Sequence, residues 1–164
     1  MSVICSRARA EHIPVIGTMV TGCISAMEAR DIFQWDSLYP TVDDFTSDYE
    51  DGVLYTVHSD GEIAGCLCIN EYQCPEYAEG DWKGTSFMVV HRLLVAPQFQ
   101  GMGIGRQAML FAEKMTRNNG KASIRLDAFT LNPMAVRLYQ RLGYLQRGCV
   151  RFRKGMFHLF EKQV

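Results

Sequence analysis

The sequence predicts an α/β fold in which a mixed sheet carries helices, and three observations lead to this prediction. Apolar residues recur with the period of a helix in some segments and alternate with the period of a strand in others. An apolar strand, Phe87–Val95, is followed by a glycine-rich loop and a helix. With 164 residues, 48% of them hydrophobic, the chain has the length of one domain, so we expect a single domain over residues 1–164.

The N-terminal half is predicted to contain two helices and three strands. Residues 14–29 form an amphipathic helix, because apolar residues from Ile16 to Met27 recur on one helical face. Thr41 is a suitable N-cap for a shorter helix that ends at Asp51. The predicted strands are Val3–Arg7 and the two arms of a hairpin, Val53–Val57 and Glu62–Ile69, which turn at Ser59-Asp60-Gly61.

The C-terminal half continues the alternation of helices and strands. A polar loop from Tyr72 to Thr85, typical of a lid or a substrate-contacting loop, precedes the central strand. After the glycine loop, a helix with Ala108 and Ala112 on its buried face ends near Gly120. The next helix has Asn132 as N-cap and Pro133 as its first residue, and Gly143 terminates it. The remaining predicted strands are Ile124–Phe129, Tyr144–Phe152 and Phe157–Glu161.

The net charge of −1 hides a strong asymmetry between the two halves of the chain. Residues 1–82 hold 15 of the 18 acidic residues and 3 of the 17 Lys and Arg, whereas residues 83–164 hold 3 and 14. A basic half suits a phosphate-rich ligand and an acidic half suits a cationic acceptor, although mutual attraction of the halves explains the pattern equally well. Because the total charge is not basic, we expect no nucleic-acid partner.

The six cysteines form no C-x-x-C pair and have no neighbouring pair of histidines, so no metal site is expected. We interpret them as small buried residues of a reduced, cytoplasmic protein. Arg7 and Arg9 precede an apolar stretch, as in an export signal. The stretch has the spacing of an amphipathic helix, however, and is too short and interrupted to cross a membrane. A cytoplasmic location without a membrane partner is therefore expected.

The segment Gln100-Gly101-Met102-Gly103-Ile104-Gly105-Arg106 carries the strongest functional signal. Glycine adopts backbone conformations barred to other residues, and the first N–H groups of a helix lack internal partners, so the motif predicts a phosphate pocket. A P-loop requires Gly-Lys-Ser/Thr, but Arg106 follows the third glycine. A dinucleotide site requires G-x-G-x-x-G and an acidic residue about 20 positions after the glycines, and Asp127 lies at about that distance. In such a site the glycines follow the strand almost directly, whereas here residues 96–100 separate them from the strand. A structural glycine turn is the third interpretation.

The order strand, Pro97-x-x-Gln100-Gly-x-Gly-x-Gly, helix resembles the acetyl-coenzyme A site of the GCN5-related N-acetyltransferase (GNAT) family, and the order of elements matches over nearly the whole chain. The resemblance implies a mostly antiparallel central sheet that is splayed at its middle, with helices on both faces. It also implies transfer of an acetyl group from acetyl-coenzyme A to a primary amine of a small molecule or peptide, by direct attack in a ternary complex. Homodimers are common in the family, so the resemblance allows a homodimer.

The same resemblance implies which residues bind the coenzyme. The backbone of Leu93–Val95 would hydrogen-bond the pantetheine amides, and one of its N–H groups would stabilise the oxyanion. Gln100 and the amides from Gly101 to Arg106 would bind the pyrophosphate. Asn132 matches a position that often contacts pantetheine, and it is equally a plain N-cap. The predicted coenzyme-binding residues are Leu93, Val95, Gln100, Gly101, Met102, Gly103, Ile104, Gly105, Arg106 and Asn132.

Tyr139 and His91 are the predicted catalytic residues. Tyr139 matches the tyrosine that protonates the departing thiolate in many family members, although an aromatic residue on an apolar helix face is also a common core residue. Many members use a glutamate near the central strand as the base, and this strand has none. His91 is the substitute, since an imidazole with its ordinary pKa of about 6.5 suits removal of an amine proton. Strand alternation places it with Leu93 and Val95. A buried structural histidine, Asp127, Glu71 and a water chain are the alternatives.

The family builds its acceptor site from the first two helices, the hairpin and the loop before the central strand. Aromatic and polar or acidic side chains occupy those segments here: Gln34, Trp35, Asp36, Tyr39, Tyr77, Glu79 and Trp82. They favour a cationic small molecule or a peptide N-terminus, although exposed acids often face only solvent. The missing strand glutamate motivates a second hypothesis, a non-catalytic acyl-coenzyme A binding or sensor domain of the same fold. Turnover of amines distinguishes the two.

Overall fold

Seven strands and four α-helices make up the computed structural model, which describes all residues from Met1 to Val164. The strands are β1 (Val3–Arg7), β2 (Leu54–Ser59), β3 (Glu62–Asn70), β4 (Phe87–Val95), β5 (Ser123–Phe129), β6 (Leu145–Phe152) and β7 (Gly155–Gln163). The helices are α1 (Ile13–Glu28), α2 (Val42–Glu50), α3 (Ile104–Asn118) and α4 (Pro133–Arg141), and 3₁₀ turns lie at Ala10–His12, Pro75–Glu79 and Pro97–Phe99. The predicted elements are confirmed with small shifts at their ends.

The strands are hydrogen-bonded in the order β1-β2-β3-β4-β5-β7-β6. β4 and β5 run parallel, and the β1–β2, β2–β3, β5–β7 and β6–β7 pairs are antiparallel. The ladder between β4 and β5 comprises Phe87–Val89 and Ser123–Arg125. The prediction of a mixed, mostly antiparallel sheet is therefore confirmed.

Residues 1–69 together with 91–111 form one compact unit. Its core is apolar, with α1 and α2 packed against one face of the strands, and includes Ile16, Phe45, Leu54, Cys66 and Leu94. Successive residues of a strand point to opposite faces, so Tyr55 lies on the other face from Leu54. There its ring packs against Phe111 of α3, with centroids 5.3 Å apart. Within this unit, helices cover both faces of the sheet, as predicted.

Residues 70–90 together with 112–164 form a second compact unit. Glu161 of β7, which is fully buried, accepts hydrogen bonds from the backbone N–H groups of Lys83 at 3.0 Å and Gly84 at 3.1 Å. Arg147 Nε donates to the same carboxylate at 2.9 Å. Although burial opposes ionisation, these donors hold the pKa of Glu161 below its usual value. Glu161 thereby fixes the end of the loop that precedes β4. That residues 1–164 act as a single domain stays a prediction.

Three further features bear on the predicted class of protein. None of the helices has both the length and the apolar character needed to cross a membrane. The chain brings together no group of three or more His, Cys, Asp or Glu side chains that could hold a metal ion. All six cysteines are free thiols. Cys23, Cys66 and Cys68 are buried as expected, whereas Cys5 and Cys74 are half-buried and Cys149 is exposed, so the expectation of burial is wrong for these three.

Candidate active site

The glycine loop forms an open backbone cradle at the start of α3. Gly101 and Gly103 have φ values of 78° and 81°, which residues with a side chain rarely adopt. A Cβ placed on either glycine would meet no heavy atom within 4 Å. Met102 is exposed and Ile104 is buried. Both side chains are apolar, so neither offers a polar group to a ligand. Any binding by the segment from Gly101 to Ile104 is therefore made through its backbone.

The N-terminus of α3 is electrostatically suited to an anion. The N–H group of Gln107 donates to the carbonyl oxygen of Gly103 at 3.1 Å, so the N–H groups of residues 104–106 precede the first intrahelical hydrogen bond. No acidic residue occupies the first turn, and Arg106 there is exposed. The positive end of the helix dipole therefore has no carboxylate in its own first turn to compensate it, which favours a bound phosphate.

The end of β4 shows how its backbone groups are used. Ala96 donates its N–H to Ala64 of β3 at 2.8 Å, so by alternation the N–H groups of Leu93 and Val95 point away from β3. The Val95 carbonyl accepts hydrogen bonds from Gln100 Nε2 at 3.0 Å and from Cys23 Sγ at 3.2 Å. A carbonyl oxygen has two lone pairs, so this one is fully used within the protein. The predicted contact of Leu93–Val95 with pantetheine therefore depends on the N–H groups of Leu93 and Val95 and on the carbonyl oxygen of Leu93.

Arg92 interrupts β4 in a way that sequence spacing did not reveal. Its φ of 49° is left-handed, and such a residue breaks the two-residue alternation of a strand. The shared face that was expected for His91, Leu93 and Val95 therefore does not follow from their spacing. The assignment of His91 as a base stays a prediction that rests on its chemistry.

Tyr139 of α4 lies in an aromatic cluster of the second unit. Its ring is 7% exposed, and its centroid lies 5.9 Å from that of Tyr144 and 6.0 Å from that of Phe160. Burial, aided by the Asp127 carboxylate, raises the pKa of Tyr139 above its ordinary value. Tyr139 is thus a core residue. Because its pKa is raised, its hydroxyl is protonated at neutral pH, as a proton donor requires.

The half-buried Asp127 of β5 and the buried Tyr77 form a hydrogen-bonded pair in the same unit. The Tyr77 hydroxyl donates to Asp127 Oδ2 at 2.6 Å, and Trp82 Nε1 donates to the Tyr77 carbonyl at 2.6 Å. Tyr77 is 1% exposed, so its ring anchors the loop to β5. Tyr77, one of the aromatic residues expected in the acceptor-site segments, is therefore buried rather than exposed to solvent. Burial raises the pKa of Asp127, against the opposite effect of the Tyr77 hydrogen bond.

Two other candidates have structural partners. Asn132 Oδ1 accepts a hydrogen bond from the backbone N–H of Ala135 at 3.2 Å, which confirms its interpretation as the N-cap of α4. Glu71, an alternative base, forms an ion pair with Lys121 Nζ at 3.1 Å, and its side chain is 60% exposed. A carboxylate so exposed and paired is a poor base for an amine proton.

Asp127→Asn is expected to raise the unfolding temperature at pH 7. Because the folded pKa of Asp127 is raised, its stabilising contribution is complete below the unfolded pKa of about 3.9 and is lost as the pH rises through the folded pKa. The amide keeps an acceptor for Tyr77 without the partly desolvated charge. Each kcal/mol recovered corresponds to about 2–4 °C in the midpoint. Thermal unfolding followed by circular dichroism should show this gain at pH 7 and none below about pH 4.

Asp81→Asn is the matched control for that measurement. Asp81 is exposed, and its hydrogen bond with Lys83 lowers its pKa, so its removal should bring no gain at pH 7. An Asp127→Asn protein that is no more stable than wild type at pH 7 would contradict the account of the Asp127 carboxyl.

The sequence model of the Acetyltransferase (GNAT) family matches residues 24–144, and the chain belongs to this family. It is accordingly an acyltransferase. It is 28% identical over 141 residues to the uncharacterized N-acetyltransferase YesJ of Bacillus subtilis, a match that covers 80% of this chain and 73% of YesJ.

Solved structures show the same fold. A GNAT-family acetyltransferase from Streptococcus agalactiae superposes with a TM-score of 0.82 at 22% identity, covering 99% of this chain and 95% of that one. The putative acetyltransferase yncA of Salmonella typhimurium, solved with its cofactor acetyl-CoA, gives a TM-score of 0.72 at 16% identity, with coverage of 99% and 94%.

Proposed function

We propose that this protein transfers the acetyl group of acetyl-coenzyme A to a primary amine of a small molecule or a peptide. The observation that carries the proposal is the open cradle of Gly101 and Gly103 at the N-terminus of α3, whose first turn has no acidic residue. Acetyl-coenzyme A has a pyrophosphate that such a cradle can hold through backbone N–H groups. The family match and the acetyl-CoA bound to yncA support the same ligand.

The proposed reaction is direct attack of the amine on the thioester in a ternary complex. Gln100 and the amides from Gly101 to Arg106 hold the pyrophosphate, and Asn132 contacts the pantetheine arm. The N–H groups of Leu93 and Val95 hydrogen-bond the arm, and one of them stabilises the oxyanion of the tetrahedral intermediate. Collapse of the intermediate breaks the C–S bond and releases the coenzyme A thiolate.

Tyr139 is the proposed general acid for the departing thiolate. An ordinary thiol has a pKa of about 8.5, below that of a phenol, so full transfer of the Tyr139 proton to a free thiolate is uphill. The raised pKa of Tyr139 increases this difference. The hydroxyl therefore acts chiefly by donating a hydrogen bond to the sulfur while the C–S bond breaks and negative charge develops there.

His91 is the proposed base, and His91→Gln should lower the rate of acetyl transfer. Loss of a general base lowers kcat/KM by about 10²-fold or more. We expect that decrease near neutral pH, with coenzyme affinity retained, in assays of initial rate from pH 5.5 to 9. Asp127→Asn tests the alternative base in parallel. A His91→Gln protein that keeps the wild-type kcat/KM would transfer the role to Asp127 or to water.

The acceptor is proposed to be a cationic amine. The acidic N-terminal half and the partly buried Trp35 and Asp36 between α1 and α2 support this choice, since carboxylates and aromatic faces both attract ammonium groups. The cytoplasmic location and the homodimer that the family resemblance allows stay predictions.

An amine panel tests the proposal against the sensor hypothesis that the missing strand glutamate motivated. Purified protein is incubated with acetyl-coenzyme A and polyamines, aminoglycosides, amino acid derivatives or short peptides, and free thiol is measured. Thiol release that requires both the protein and one class of amine supports the enzyme. Saturable coenzyme binding without thiol release from any amine would favour the sensor.

A further inference from the structure

The left-handed conformation of Arg92 lies in the middle of β4. An L-residue with a side chain is strained in this conformation, so the conformation persists only where its surroundings hold it. Arg92 immediately precedes the Leu93–Val95 segment. The conformation of this one residue therefore decides how the backbone N–H groups of that segment are aimed.

Asp48 of α2 holds the Arg92 side chain by a forked ion pair. Arg92 Nε donates to Asp48 Oδ2 at 2.7 Å, and Nη2 donates to Oδ1 at 2.6 Å. The side chains are 16% and 8% exposed, and Nη1 donates to the Tyr39 hydroxyl at 3.0 Å. Two parallel charge-assisted hydrogen bonds fix a guanidinium in orientation as well as in place. Burial lowers the pKa of Arg92, but the hydrogen-bonded Asp48 carboxylate and Tyr39 hydroxyl together raise it by more, so the guanidinium stays charged.

The neighbouring strand is fitted to the same backbone path. A Cβ at Gly65 of β3 would clash with the carbonyl oxygen of Leu94 and crowd Val95 Cα. The close approach of β3 to β4 beyond Arg92 thus depends on a glycine at this position. A segment that packs closely against β3 at Gly65 and is fixed at its start by Arg92 has little freedom to change its direction.

We infer that Arg92, held by Asp48, is a positioning residue that fixes the kink in β4 and thereby aims the Leu93–Val95 backbone at the acyl-coenzyme A thioester. The inference rests on the proposed function, because it takes this segment as the thioester-binding one. Arg92 acts through the backbone that follows it and is not itself a catalytic residue.

Two double variants that differ by one methyl group test the inference. Arg92→Gly/Asp48→Asn and Arg92→Ala/Asp48→Asn both remove the buried ion pair, so neither leaves an unpaired charge. Glycine adopts a φ of 49° without strain, whereas alanine does not. Dissociation constants for acetyl-coenzyme A are measured by calorimetry, kcat with the amine found in the panel, and folding by circular dichroism. We expect the glycine variant to bind within about threefold of wild type and the alanine variant about tenfold more weakly, with lower kcat.

Equal affinities in the two double variants, whether near wild type or equally reduced, would overturn the inference. If the alanine variant does not fold, Arg92→Lys replaces it, since lysine keeps the charge without the fork. An affinity at least about threefold weaker than wild type is then expected, and an unchanged affinity would overturn the inference. Failure of the wild-type protein to bind acetyl-coenzyme A would instead refute the proposed function, so the two failures are distinguishable.

Discussion

Gly103→Glu is expected to abolish binding of acetyl-coenzyme A. The side chain would project a carboxylate into the open space of the cradle, where the proposed ligand places its pyrophosphate. Repulsion between the two anions and loss of the space should weaken binding at least about 100-fold, which is about 2.7 kcal/mol. Calorimetric titration of the variant at low ionic strength measures the loss directly.

Gly120→Glu is the matched control for this substitution. Gly120 has a φ of 70°, and its Cβ would also meet no heavy atom within 4 Å. It follows the C-terminus of α3, so the control carries the same charge and similar backbone strain at a position outside the cradle. We expect both variants to lose similar stability and only Gly103→Glu to lose coenzyme binding. Normal affinity in Gly103→Glu would refute the assignment of the loop.

Tyr139→Phe is expected to lower kcat by about 10²-fold while leaving coenzyme affinity nearly unchanged, because a general acid contributes in the transition state rather than in binding. The aromatic packing with Tyr144 and Phe160 is kept, so the fold should be retained. Single-turnover measurements of thiol release, which report chemistry rather than product dissociation, are the appropriate readout.

Tyr144→Phe is the control for the loss of a buried hydroxyl from the same cluster. The Tyr144 hydroxyl donates to Glu113 Oε1 at 3.2 Å, and Lys162 Nζ donates to the same oxygen at 2.9 Å. Its removal should therefore lower stability and leave kcat near the wild-type value. Equal rates for Tyr139→Phe and wild type would return Tyr139 to a purely structural role.

Most of the fold could be predicted because the signals that define its elements are local. β1 and β4 have their predicted bounds, since apolar alternation and flanking turn residues delimit a strand. Thr41 and Asn132 were recognised as N-caps, and both side chains accept the expected backbone hydrogen bonds. The positive φ values at Gly101 and Gly103 follow from the same kind of local requirement.

The contacts that shape the site could not be predicted, because they join residues far apart in the chain. Asp48 and Arg92 are separated by 44 residues, and Tyr77 and Asp127 by 50. The left-handed conformation of Arg92 depends on its distant partner Asp48. Because that conformation breaks the alternation of the strand, the sequence could not predict which face of β4 His91 occupies. An arginine within an apolar strand was the one sequence signal of this irregularity. The sequence did not indicate the role of Glu161, because Lys83, Gly84 and Arg147 come close to it only in the folded structure.

Calorimetric titration with acetyl-coenzyme A, with NADH and ATP as controls, tests the central claim most directly. The proposed function predicts saturable binding of acetyl-coenzyme A, with neither control saturating in the same range. Absence of binding, or a preference for NADH or ATP, would contradict the assignment of the glycine cradle to acetyl-coenzyme A and with it the proposed acetyl transfer.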